Sequence, residues 1–142
     1  RYRRLLDVGT GTGILAIALA KRTHLQVIAS DIDPVAVDTT IANARDNDVG
    51  RQVVALQATG LEHPRIAAAG PYDLIVANIL AGPLAALAPA VGRVAERGAA
   101  VILSGILDHQ AARVVAAYAS QSMVLRHKLI RNGWATLILE KP

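Results

Sequence analysis

The chain contains no cysteine and no phenylalanine, and it has a single methionine and a single tryptophan. Without cysteine there are no disulfides, no thiolate zinc sites and no thiol nucleophile. Aromatic residues make up only 3% of the 142 residues, which leaves no interleaved stacking platform for single-stranded nucleic acid. Charge is also sparse, at 18% against 53% hydrophobic, the opposite of the balance found in disordered chains. This length supports one sizeable core and falls short of two ordinary ones.

One long uncharged run, Leu74 to Gly92, has to be placed. A bilayer span needs about 20 apolar residues. This run is interrupted by Asn78, Pro83 and Pro89 and is rich in alanine, so it reads as a buried strand, a loop and a helix. The basic start Arg1-Tyr2-Arg3-Arg4 leads directly into a strand pattern, with no small-residue cleavage site of a signal peptide. Net charge is +4. Its densest groups, Arg1, Arg3 and Arg4, then Arg126, His127, Lys128 and Arg131, read as solvated faces rather than as a nucleic-acid footprint.

What the chain does have is alternation. Leu5 to Val8, Leu25 to Ala29, Val53 to Leu56, Asp73 to Ala77 and Ala99 to Leu103 are short apolar runs that predict buried strands. Helical patterns lie between most of them: Ile14 to Arg22, with basic residues at its end, and Pro34 to about Asn47, capped by Asp33. Gln57 to Pro71 reads as a loop or a short irregular piece. A helix over Pro83 to Arg97 is expected to kink or divide at Pro89 and to close at Gly98, and Asp108 opens another to about Ser120. The last two strands, Met123 to Ile130 and Trp134 to Glu140, flank Arg131-Asn132-Gly133, a hairpin-turn signal. The fold class is therefore α/β, a three-layer Rossmann-like sheet, mostly parallel with an antiparallel last strand.

Three features carry chemistry. The first is Asp7-Val8-Gly9-Thr10-Gly11-Thr12-Gly13, where glycines at alternate positions let the backbone turn and approach a ligand closely. Such a loop lies at the carboxyl edge of the sheet, where open α/β folds bind ligands. The dinucleotide fingerprint requires a third glycine at position 14, which is Ile14. The G-x-G-x-G spacing instead resembles the S-adenosyl-L-methionine loop of class I methyltransferases, with Gly9, Thr10, Gly11 and Gly13 toward the cofactor. The second is Asp31, at the end of the second strand, whose carboxylate suits two ribose hydroxyls, with Ile32 beside it for one face of an adenine. The third is Asn78. A polar residue ending so apolar a strand needs a partner, and its amide oxygen suits the N–H groups of an amine.

Glycine loop, acidic pair and Asn78-Ile79-Leu80-Ala81-Gly82-Pro83-Leu84 together resemble the ribosomal protein L11 methyltransferase family, and the resemblance covers nearly the whole chain. It extends to Asn43 to Val49, to Leu103-Ser104-Gly105-Ile106-Leu107 with Gln110, and to Gly133-Trp134. It implies a cytoplasmic, S-adenosyl-L-methionine-dependent transfer of methyl groups to amines of a large-subunit ribosomal protein. Gly9, Asp31 and Asn78 match cofactor-contacting positions, and Asn78 is the expected catalytic residue. The family's upstream glycine- and threonine-rich segment and N-terminal substrate-recognition domain are not among these 142 residues. A monomer is expected, with no metal, no membrane partner and no direct binding of nucleic acid. The loop Ala58-Thr59-Gly60 has no carboxylate for an adenine amine, leaving backbone groups for that role.

No general base stands out. His24, His63, His109 and His127 read as ordinary helix or loop residues, with His109 beside Asp108 the nearest to an exception. Trp134, at the start of the last strand, belongs near the ligand edge, either lining the substrate entrance or anchoring the hairpin. Three other readings share the pattern. A nucleic-acid amine methyltransferase would place an aromatic soon after the asparagine to stack a flipped base, where this chain has Ile79, Leu80 and Ala81. A nicotinamide oxidoreductase conflicts with Ile14. A non-catalytic cofactor-binding module would also keep the fold, in a chain without the upstream segment.

Overall fold

A computed structural model describes all of residues 1–142. Seven strands form one sheet: β1 (Leu5–Val8), β2 (Val27–Asp31), β3 (Val53–Gln57), β4 (Tyr72–Asn78), β5 (Ala95–Leu107), β6 (Val124–Arg131) and β7 (Trp134–Glu140). Their spatial order is β3-β2-β1-β4-β5-β7-β6. The first five run parallel, and β7 enters antiparallel between β5 and β6. Because the chain leaves β1 first for β2 and later returns beside it as β4, the order reverses between β1 and β4. A crevice opens at that reversal on the carboxyl edge of the strands.

Helices cover both faces. On one side lie α1 (Ile14–Thr23) and α2 (Pro34–Asp46), packing Ala16, Ile17, Ala20 and Ala44 on Leu5, Val27, Ala29 and Val76. On the other lie α3 (Pro64–Ala69), α4 (Ala81–Ala86), α5 (Ala88–Val94) and α6 (Ala111–Ala119). With no phenylalanine available, two tyrosines fill the larger spaces of this second core. Tyr72 and Tyr118 are fully buried, and each hydroxyl donates to a helix carbonyl, Ile66 at 2.7 Å and Leu84 at 2.9 Å. Those bonds satisfy hydroxyls whose burial alone would cost about 1–3 kcal/mol.

The divided helix is as expected, split at Leu87 with Pro89 in the first turn of α5. Its end is not. The helix stops at Val94, and Ala95 to Arg97, expected to be helical, begin β5. Ala95 pairs with Tyr72 of β4, and the Lys141 ammonium donates at 2.8 Å to the carbonyls of both Gly92 and Ala95. Partners distant in sequence thus satisfy the helix end three residues early. Gln57 to Pro71 contains the short helix α3, and a single 3-10 turn, Asp108–Gln110, precedes α6. The final hairpin turns through Asn132 and Gly133, both in the left-handed region (φ 51° and 80°), as an Asn-Gly hairpin requires. The uncharged run Leu74 to Gly92 is β4, α4 and most of α5, and no helix is long and apolar enough to cross a membrane.

Candidate active site at the carboxyl edge of the sheet

The glycine loop is tied down from three directions. The amides of Gly9 and Thr10 both donate to the Ser30 carbonyl of β2, at 2.8 and 2.9 Å. From α2, Thr40 Oγ1 donates to the Gly11 carbonyl at 3.0 Å and Asn43 Nδ2 to the Thr12 carbonyl at 2.8 Å. From β1, the Asp7 carboxylate accepts from Thr10 Oγ1 at 2.9 Å and from the Ala16 amide at 3.1 Å, holding the first turn of α1. Gly9 is irreplaceable on two counts: its φ is +70°, and a Cβ there would collide with Ile79 Cγ2.

Asp7 is the residue that sequence reasoning missed. It is 1% exposed, and burial raises its pKa to about 6. The bonds from Thr10 and Ala16 oppose that rise, and the negative charge of Asp31 adds to it. An acid in the middle of the apolar run Leu5 to Val8 was the available signal. Thr40 and Asn43 were also missed as loop supports. Their three-residue spacing puts both on one face of α2.

Asp31 ends β2 and turns its carboxylate onto the loop. Oδ2 accepts from the Gly11 amide at 2.9 Å and Oδ1 from the Asp33 amide at 3.0 Å. Each oxygen keeps a lone-pair site beyond these bonds. Asp33 caps α2 as expected, accepting from Val35 at 2.9 Å. A cleft of about 630 Å³ opens beside Asp31, bordered by Gly9, Ser30, Ile32, Ala58 and Leu87. Ile32 is 65% exposed there, and the buried Ser30 hydroxyl has no hydrogen-bond partner in the chain.

Asn78 ends β4 as an exposed side chain, taking no hydrogen bond from the chain. It borders a smaller cavity of about 250 Å³ beneath the loop, together with Asp7 and Thr10. It also borders a second cleft of about 600 Å³ toward β5 and β7, where Trp134 lies. Gly105 of β5 lines this second cleft, at a break in the β5–β7 register. Its φ is +83°, and a Cβ there would collide with Asn78 Oδ1 and approach the Ile79 backbone within 3.2 Å. Gly9, Thr10, Gly11, Asp31, Ile32 and Asn78 therefore gather at one edge. Gly13 stands back from the cavities, packed against Thr40, where a Cβ would meet the threonine methyl at 2.8 Å.

No histidine borders these three cavities. His24 ends α1, His63 caps α3 by accepting from Arg65 at 3.0 Å, and His109 sits in the 3-10 turn. His127 is on β6, within the strand expected over Met123 to Ile130, where the hairpin pairs it with Ile138. The basic groups are partly matched by acids: Arg3 with Asp73 and Glu96, Arg126 with Glu140, and Lys128 with Asp108 at 2.7 Å.

An RNA methyltransferase from Salinibacter ruber, solved in complex with S-adenosyl-L-homocysteine, superposes on 97% of this chain and 80% of its own with a TM-score of 0.76. At 17% identity the likeness is one of fold, that of the class I methyltransferases. A ribosomal protein L11 methylase from Lactobacillus delbrueckii subsp. bulgaricus is nearer, with a TM-score of 0.88 and 33% identity over 96% of this chain and 69% of that one. The L11 methyltransferase of Bradyrhizobium diazoefficiens is 52% identical over 142 residues, 99% of this chain. Residues 1–142 match the family model described as ribosomal protein L11 methyltransferase (PrmA), and the chain belongs to that family. It spans about half the length of the curated relatives it matches, 48% of the Bradyrhizobium protein.

Proposed function

We propose that the protein containing this chain transfers methyl groups from S-adenosyl-L-methionine to amino groups of ribosomal protein L11, in the cytoplasm and as a monomer. The observation that carries the reading is Asn78, whose side chain has no partner within the chain and which borders both the cavity under the glycine loop and the adjoining cleft.

The residues present fit the cofactor. Gly9 leaves a cradle that a Cβ would fill, the Ser30 hydroxyl is buried without a partner, and Asp31 has acceptor capacity beyond its two backbone bonds. Asp31 would hold the ribose hydroxyls and Ile32 one face of the adenine, with the Gly9–Gly11 backbone alongside. When bound, S-adenosyl-L-methionine supplies a methyl group already activated on sulfonium. The chain's own task is then orientation. Asn78 Oδ1 accepts from the amine N–H groups and so aims the nitrogen lone pair, and such alignment supplies several kcal/mol of a transfer barrier. No histidine borders the cavities, and the proton is taken to leave to solvent.

The test uses the full-length protein with its upstream region, radiolabelled methyl donor, and purified L11 beside purified ribosomal RNA. Label in L11, lost in Asn78→Ala, is the expected outcome. Label in RNA alone defeats the acceptor assignment, and label in neither defeats the activity.

A further inference from the structure

The Ser30 hydroxyl has no partner in the fold. The strand register sets Leu56, Ser30, Val8, Ala77 and Leu103 side by side on one face of the sheet. Four of them are apolar members of a single core cluster. Ser30 interrupts the row at 1% exposure, and its hydroxyl is the one buried side-chain polar atom of the chain left without a hydrogen bond. An alanine would complete the row and would still supply the backbone carbonyl that accepts from Gly9 and Thr10. Burying an unpaired hydroxyl is costly, so the serine answers to something outside the chain.

We propose that Ser30 reads the base of the nucleoside cofactor, its hydroxyl donating to a ring nitrogen of the purine. The proposal rests on the methyltransferase reading above and adds to it a residue that selects the heterocycle. Among the side chains bordering the cleft beside Asp31, only Ser30 and Asp31 are polar. The Asp31 carboxylate accepts from two amides, which leaves the Ser30 hydroxyl as the only side-chain donor there. Ile32, Ala58 and Leu87 offer apolar contact suited to an aromatic ring. A purine entering such surroundings carries unprotonated ring nitrogens, and each one buried without a donor weakens binding. With Asp31 serving the ribose hydroxyls, a ring nitrogen is the acceptor left to Ser30. The donor is also held in place before any ligand arrives. Its strand is paired on both sides, and the glycine loop is fastened to its carbonyl, so binding orders little.

The experiment uses the full-length protein, Ser30→Ala, and calorimetry with S-adenosyl-L-homocysteine and its 1-deaza, 3-deaza and 7-deaza analogues. Ser30→Ala should bind S-adenosyl-L-homocysteine about tenfold more weakly, the scale of one buried hydrogen bond. One analogue should show the same loss in the parent and no further loss in the variant, as coupled partners do. Without ligand, the variant should melt at or above the parent's temperature, because an unpaired buried group has been removed. Equal affinities in parent and variant overturn the proposal, as does a loss shared by every ligand with no analogue coupled to Ser30. A ligand-free variant that melts below the parent also overturns it, since the hydroxyl then has a partner in the fold. A parent that binds none of these ligands defeats the methyltransferase reading as well, whereas binding without coupling defeats the proposal alone.

Discussion

The two sides of Asn78 are built in opposite ways. Toward the glycine loop, polar groups are already engaged: Asp31 holds the Gly11 and Asp33 amides, Asp7 holds Thr10 and Ala16, and α2 fastens the loop through Thr40 and Asn43. Toward β5 and β7, the surface is apolar and shaped by a missing side chain at Gly105 and an exposed one at Trp134. A ligand that never changes is well served by a prepaid hydrogen-bond network, because no groups need ordering on binding. The other side offers no charged side chain and only one amide and two hydroxyls.

The sharpest break falls on the boundary itself. In the full-length protein Asn78→Ala should lower kcat by about 10³-fold, the scale for one well-aimed polar group, with cofactor affinity nearly unchanged in calorimetry. Parallel loss of affinity would place Asn78 on the cofactor side instead.

Asp7 tests how much strain the loop side carries. Its carboxyl titrates at 3.8 when exposed and at about 6 in the fold. Folded Asp7 therefore binds its proton more tightly than unfolded Asp7, and stability falls as pH rises from about 4 to 6. Carrying the buried charge above that window costs roughly 3 kcal/mol. Chemical denaturation of Asp7→Asn against the parent should show the variant gaining relative stability through that pH range. A flat difference would mean that the site is wetter than its burial implies.

Asp31→Ala removes the acceptor of the Gly11 and Asp33 amides along with the proposed ribose partner. Cofactor affinity should fall by about 10²-fold, a charge-assisted pair of bonds, while KM for L11 stays nearly constant. The smallest effect is expected at Gly105. Gly105→Ala should lower kcat about tenfold by displacing Asn78, and should cost nothing further in an Asn78→Ala background, as coupled neighbours do. Additive losses would show that the bulge acts on the fold alone.

Much of this was readable along the chain. The strands of β1, β2 and β4 are buried on both faces, so they appear as unbroken apolar runs with turn residues at their carboxyl ends. Loop, Asp31 and Asn78 follow those runs directly. The end of α5 was not readable, because Lys141 and the partner strand that stop it lie far off in sequence. Asp7 escaped for a related reason: burial and its partners give it a role that residue type alone does not. The cleft beyond Asn78 depends on Gly105 and Trp134, 29 positions apart, being brought beside Asn78 by the β5–β7 pairing.

By itself, then, the sequence determined the class of fold, the place of the glycine loop at the sheet edge and the family, because each rests on local signals: apolar periodicity, glycine spacing and strand-end polar residues. Tertiary structure decided where β5 begins, how deeply Asp7 is buried, and that an apolar cleft walled by the lone tryptophan adjoins Asn78. Those outcomes are set by long-range pairing and desolvation, which no local window of residues encodes.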